Sequence, residues 1–193
     1  MRKALLLQAA YLPVFIMAAL VAWAFFVPHY HSVSQHLSEL QQLSHPIATA
    51  TRFAPIVVGL SIMLFGIAVL VQDSPRMPFT GVTAMIFGAA NASNGLFVAG
   101  DPRHGLFGLA MFFIIVPACY AAELARREDK RFAINLSLAT AVCLLTYVWL
   151  QFSGLDPHGY RGVTQRIAVL VIFGWYTFAA LNLLKGHRSK SPD

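Results

Sequence analysis

Long stretches of this sequence carry no Lys, Arg, Asp or Glu at their centres, and that feature leaves few environments in which the chain can fold. Six such runs occur, at roughly 4–27, 54–71, 79–98, 105–122, 133–152 and 165–184. A helix rises about 1.5 Å per residue and the hydrocarbon core of a bilayer is about 30 Å thick, so about 20 apolar residues make one crossing. Charged residues are 11% of the chain and hydrophobic ones 58%, against about 25% charged in a soluble domain. So few charges do not cover a water-facing surface. The fold class expected is all-α: a single transmembrane domain over 1–193, a polytopic bundle of six membrane-spanning helices.

The net charge of +6 would suit nucleic acid if it formed a stripe. It does not, because the basic residues sit in short segments between the apolar runs, and membrane lipid is the expected partner. The first run follows Met1-Arg2-Lys3 and resembles a signal peptide. It exceeds the ~7–15 apolar residues of a signal core, and no A-x-A site follows, so a retained first helix is expected. Cys119 and Cys143 both lie inside apolar runs without a CxxC pair, and are expected as buried small hydrophobes.

Basic residues orient a membrane protein, since Lys and Arg accumulate in cytoplasmic loops. Arg2, Lys3, Arg76, Arg126, Arg127, Lys130, Arg131, Lys185, Arg188 and Lys190 fall on one side, and Arg52, Arg103, Arg161 and Arg166 on the other. Both termini are thus expected in the cytoplasm, in a multi-pass protein of the cell (inner) membrane. Six of the seven histidines then lie outside, with Ser38, Glu39, Asp101 and Asp156. Whatever chemistry the chain has gathers at the outer face.

The first outer loop, roughly 28–53, is the longest. Within it HSVSQHLSELQQL reads as a short amphipathic helix with Val33, Leu37 and Leu40 on one face, opened by a capping box of Ser32 and Gln35. Such a helix would lie in the interface or close over the bundle as a lid.

Asp101-Pro102 and Asp156-Pro157 match a helix start, Asp as N-cap and Pro first in the helix, and Asp101 also suits a catalytic base. His31, His104 and His158 come from three different loops; if these meet above the bundle, they form a zinc site with an open position. Against it, no HExxH or CxxC-type motif is present, and interfacial histidines bonded to backbone are the simpler alternative. Arg161 and Arg166 bracket the outer start of the last helix, whose free N–H groups favour an anion. Arg166 needs a partner, either that anion or an outer carboxylate. Asn91, Ser93 and Asn94 crowd the outer end of the third run, lining a cavity or binding neighbouring helices.

Three segments together resemble the membrane proteins of domain of unknown function 998: YHSVSQHLSEL from Tyr30, GLFVAGDPRHG from Gly95 and GYRGVTQRI from Gly159. The likeness spans nearly the whole chain. It implies about six helices and marks His31, Ser38, Glu39, Asp101, His104, Gln165 and Arg166 as positions of interest, but implies no biochemical activity. This chain has Gln41-Gln42 where a Gly is expected shortly after Leu40.

Two functional classes remain open. One is a metal-assisted hydrolase or transferase acting on a lipid or lipid-linked substrate. There Ser38, Glu39 and Asp101 would be catalytic, Asn94, Arg161, Gln165 and Arg166 would hold substrate, and His31, His104 and His158 would hold zinc. The other is a non-enzymatic membrane protein that binds lipid or a partner, or a small carrier. The discriminating observation is whether the outer histidines and Asp101 converge. A further expectation is one polar pocket lined by His31, Ser38, Glu39, Asn94, Asp101, His104 and Arg166 and roofed by the segment around Leu37.

Overall fold

The computed structural model describes residues 1–43, 45–72, 76–125 and 128–188. Among the described residues six α-helices follow one another: α1 (Arg2–Ala24), α2 (His45–Leu70), α3 (Pro78–Leu96), α4 (Phe112–Leu124), α5 (Arg131–Phe152) and α6 (Arg161–Arg188). Among the described residues there is no strand. Four helical segments are long and apolar enough to cross a membrane: Arg2–Ala24, Pro46–Leu70, Arg131–Phe152 and Arg161–Lys185. Leu109–Leu124 is a shorter apolar stretch. α3 carries more polar side chains, and Thr80, Thr83, Asn91 and Ser93 among them are buried against neighbours. The result is an all-helical membrane protein.

Two helix starts differ from expectation. α2 begins at His45 rather than near 54, which draws Arg52 into a helix and shortens the loop after α1. α4 begins at Phe112 rather than near 105. Gly105, Leu106, Phe107 and Gly108 all have positive φ, from 49° to 92°, and such a left-handed run cannot belong to a right-handed helix. The apolar composition of 105–111 concealed that turn.

Each helix packs on the next, and α6 returns to pack on α1, so the six close into a ring. Phe65, Phe87, Tyr120, Trp175 and Tyr176 fill its centre, with Phe65 edge-on to Tyr176 at 5.3 Å and Tyr120 edge-on to Trp175 at 5.4 Å. Lipid gives helices no hydrophobic reason to associate, so polar ties and close packing matter more. Asn182 Nδ2 donates to Tyr120 Oη (2.6 Å), and Trp175 Nε1 donates to Ser137 Oγ (2.9 Å).

The tightest seam joins α2 and α3. Gly59 and Gly66 on α2 face Gly88 and Gly81 on α3: a Cβ on Gly59 would lie 2.4 Å from the Gly88 carbonyl oxygen, and one on Gly66 would lie 2.7 Å from that of Gly81. Farther out, a Cβ on Gly95 would strike the Arg52 carbonyl. Glycines seven apart thus let the two backbones touch along most of their length. The same contact brings the amide-rich end of α3 beside α2, where Asn91 Nδ2 donates to the Pro55 carbonyl (3.0 Å).

At the opposite end of α3, Glu123 of α4 caps its first turn from outside it. Its carboxylate accepts from Phe79 N–H (2.8 Å), Thr80 N–H (3.0 Å) and the Thr80 hydroxyl (2.6 Å). An acid at the positive end of a helix is stabilising. Cys119 is half-buried and Cys143 lies on the exposed face of α5, so the expectation of burial fails for Cys143.

Candidate functional site: a roofed cavity at one end of the ring

The loop after α1 folds back over the ring. Its helical part is a short 3-10 helix, Leu37–Gln42, rather than the longer amphipathic helix expected. The capping pair is also shifted: the His36 N–H donates to Glu39 Oε1 (2.9 Å), and Gln35 is used elsewhere, its Oε1 accepting from His31 N–H (2.6 Å). Leu37 and Leu40 are buried, at 7% and 0% exposure, whereas Val33 is 43% exposed. The face that covers the bundle is therefore Leu37 and Leu40 without Val33.

The start of α6 holds this loop in place. Gly162 packs so closely that a Cβ would strike the carbonyls of Ser32 and Gln35. Val163 N–H donates to the Val33 carbonyl (3.1 Å), and Leu37 N–H donates to Gln165 Oε1 (2.7 Å). Arg166, 4% exposed, donates to Tyr30 Oη (2.9 Å) and to the carbonyls of Gln35 (3.1 Å) and Gly162 (2.7 Å). Its guanidinium also lies over the rings of Phe25 and Tyr30, at 5.5 and 5.7 Å from their centroids. Among the described residues no carboxylate pairs with it: Arg166 is held by neutral oxygens and aromatic faces. Burial is also the main reason the Tyr30 hydroxyl titrates above its usual range, a shift that the Arg166 bond partly offsets.

Beneath the 3-10 helix lies a cavity of about 200 Å³. Its polar lining comes from Ser38, Gln41, Asn91, Asn94, His104, Tyr147 and Gln165, and Met17, Leu20, Phe87, Phe113, Ile172 and Phe173 supply apolar walls. Among the described residues no Asp, Glu, Lys or Arg lines it. His104 Nδ1 is 2.8 Å from the Phe97 carbonyl; a carbonyl only accepts, so Nδ1 carries a proton. Gln41, which stands where a glycine was expected, is buried and donates from Nε2 to the Asn94 carbonyl (2.8 Å).

The expected pocket is thus assembled in part. Of its expected residues Ser38, Asn94 and His104 line the cavity under the roof, joined by Gln165, while His31, Glu39, Asp101 and Arg166 do not. Glu39 is occupied by the His36 N–H and by Gln35 Nε2 (3.3 Å). Asp101 does not cap α4. It chelates the Arg103 side chain at 2.7 and 3.0 Å and accepts from the Arg103 backbone N–H at 2.9 Å. Those bonds hold its carboxyl at about 2.

Arg161 and His158 line a different cavity, of about 250 Å³, with His36, Gln151, Gly154 and Asp156. Burial, and then the Arg161 charge, lower the His36 pKa below 6.5. Asp156 also falls short of a backbone cap; its Oδ1 accepts from the Thr164 hydroxyl (2.9 Å). His31, His104 and His158 occupy separate settings, and among the described residues no three His, Cys, Asp or Glu side chains are grouped to hold a metal. The donor set for zinc is not assembled.

Sequence reasoning missed Gln41, Tyr147 and the Gly162 contact. Only the last left a signal, a glycine four residues before Arg166 and so on the same helical face. A family model described as "Protein of unknown function (DUF998)" matches residues 9–182. No curated protein and no solved structure matches the chain.

Proposed function

Since the chain belongs to the DUF998 family, a family without an assigned activity, we propose from its geometry that it is a non-enzymatic, multi-pass cell-membrane protein that binds one amphipathic molecule at its outer face. In this reading all six helices cross the membrane, both termini are cytoplasmic, and the 3-10 helix roofs the binding cavity. The observation that carries the proposal is the cavity's composition: hydrogen-bonding groups above apolar walls, with no Asp, Glu, Lys or Arg among the described lining residues. Such a lining matches a lipid-like molecule with an uncharged hydroxyl- or amide-bearing head, because an ionic head would be desolvated there without a counter-charge.

Mass spectrometry of protein extracted in mild detergent tests this. The expected result is one co-purifying amphiphile per chain, lost when Ala110→Trp fills the cavity. Equal amphiphile content in the two proteins, or none in either, would overturn it.

A second reading, hydrolysis, draws on Ser38 sharing the cavity with His104. A fluorophosphonate probe should then label the protein and fail to label Ser38→Ala. Absence of labelling in the wild type removes this reading.

A further inference from the structure

The second outer cavity has a built character that the binding reading of the first leaves unexplained. Its described lining residues are all polar or Gly: His36, Gln151, Gly154, Asp156, His158 and Arg161. Asp156 is 6% exposed, and although Thr164 satisfies its Oδ1, its buried Oδ2 has no hydrogen-bond partner. The Nε2 of His36 is likewise buried and unpartnered. Native proteins seldom leave buried polar atoms unmatched, because each one costs about 1–3 kcal/mol. Arg161 is exposed, and neither of the ion pairs among the described residues involves it. One cavity therefore offers a buried carboxyl oxygen without a partner, an exposed arginine outside the ion pairs of the described residues, and two imidazoles.

That combination selects a ligand carrying both charges. A primary ammonium donates to Asp156 Oδ2, and a phosphate accepts from Arg161, as guanidinium groups favour. The surroundings favour a membrane source. Phe152, Leu155 and Tyr160, beside the lining residues in sequence, are 81%, 58% and 61% exposed, and aromatic side chains of this kind settle at the headgroup level of a bilayer.

We infer that the cavity formed by Asp156, Arg161 and His36 is a binding site for a zwitterionic headgroup that joins a primary ammonium to a phosphate, as in phosphoethanolamine. It is distinct from the roofed cavity, although the two share a wall: His36 lines this one, and Leu37 and Ser38 line the other.

The test is a thermal-shift titration of the full-length protein in detergent with phosphatidylethanolamine, phosphatidylcholine, phosphatidylglycerol and water-soluble phosphoethanolamine. Phosphatidylethanolamine should bind best. Phosphatidylcholine should bind roughly tenfold more weakly or worse, because its quaternary nitrogen has no N–H for Asp156, and phosphatidylglycerol should be as weak because it has no ammonium. Asp156→Asn should weaken binding by a similar factor. So should Arg161→Gln, which replaces an exposed side chain and leaves folding intact. Ala110→Trp should bind normally, so that failure of the roofed-cavity proposal is distinguishable from failure of this one. If soluble phosphoethanolamine binds as well as the lipid, the headgroup alone is the ligand; if only the lipid binds, its chains contribute. Equal binding of the three lipids, or wild-type affinity in Arg161→Gln, would overturn the inference.

Discussion

Arg166 shows how a single side chain can tie a loop of a membrane protein to a helix. It bonds to three neutral oxygens contributed by the first loop and its own helix. Arg166→Ala should lower stability by about 2–3 kcal/mol, the scale of losing charged hydrogen bonds and stranding their acceptors, and Arg166→Lys should recover only part, having no planar fork. Thermal unfolding in detergent checks both, and a wild-type midpoint for the alanine variant would show the clamp to be idle. His36 supplies a pH dependence. Its folded pKa lies below 6.5, so the unfolded chain takes up the proton first as pH falls. Stability is therefore complete above about 6.5 and declines below it. His36→Gln should flatten that slope; an unchanged slope would assign it to another group. The sequence marked Arg166 as needing a partner but could not supply the right one, because Tyr30 and the carbonyl of Gln35 are more than 130 residues away.

At the scale of elements, the uncharged runs located all six helices, since length and hydropathy are properties of the chain itself. What they could not locate was where a helix yields to a turn of equal apolarity, as at Gly105–Gly108, or where polar residues join a helix, as at Arg52. Glycines were equally ambiguous, because a glycine's role depends on what faces it. Gly59 faces backbone, and a Cβ there would lie 2.4 Å from the Gly88 oxygen. Gly174 faces nothing within 4 Å. Gly59→Ala should therefore force α2 from α3 and cost about 1–3 kcal/mol, whereas Gly174→Ala should be neutral or gain up to about 1 kcal/mol from helix propensity. Equal effects in the two variants would refute the close seam.

For the whole molecule, charge asymmetry gave an orientation that labelling can check. In a background of Cys119→Ala and Cys143→Ser, a cysteine at Arg103 should react with an impermeant reagent from outside and one at Lys130 only after permeabilisation. Reaction of both from one side would overturn the six-crossing topology and remove the outer location of both cavities. The candidate site was half legible for a related reason: polarity collected at one end showed where to look, but which side chains met was settled by the roof's attachment to α6. That attachment also has a consequence in time. Residues 30–37 find their partners at 162–166, and at about 5–20 residues per second of synthesis the first loop waits on the order of ten seconds before anything exists to hold it. During that interval the buried leucines of the roof have no lid to form and the ring has no sixth wall. A nascent chain of this design is most exposed to wrong partners in the middle of its own translation, and the insertion machinery must shelter an open ring until its closing helix arrives.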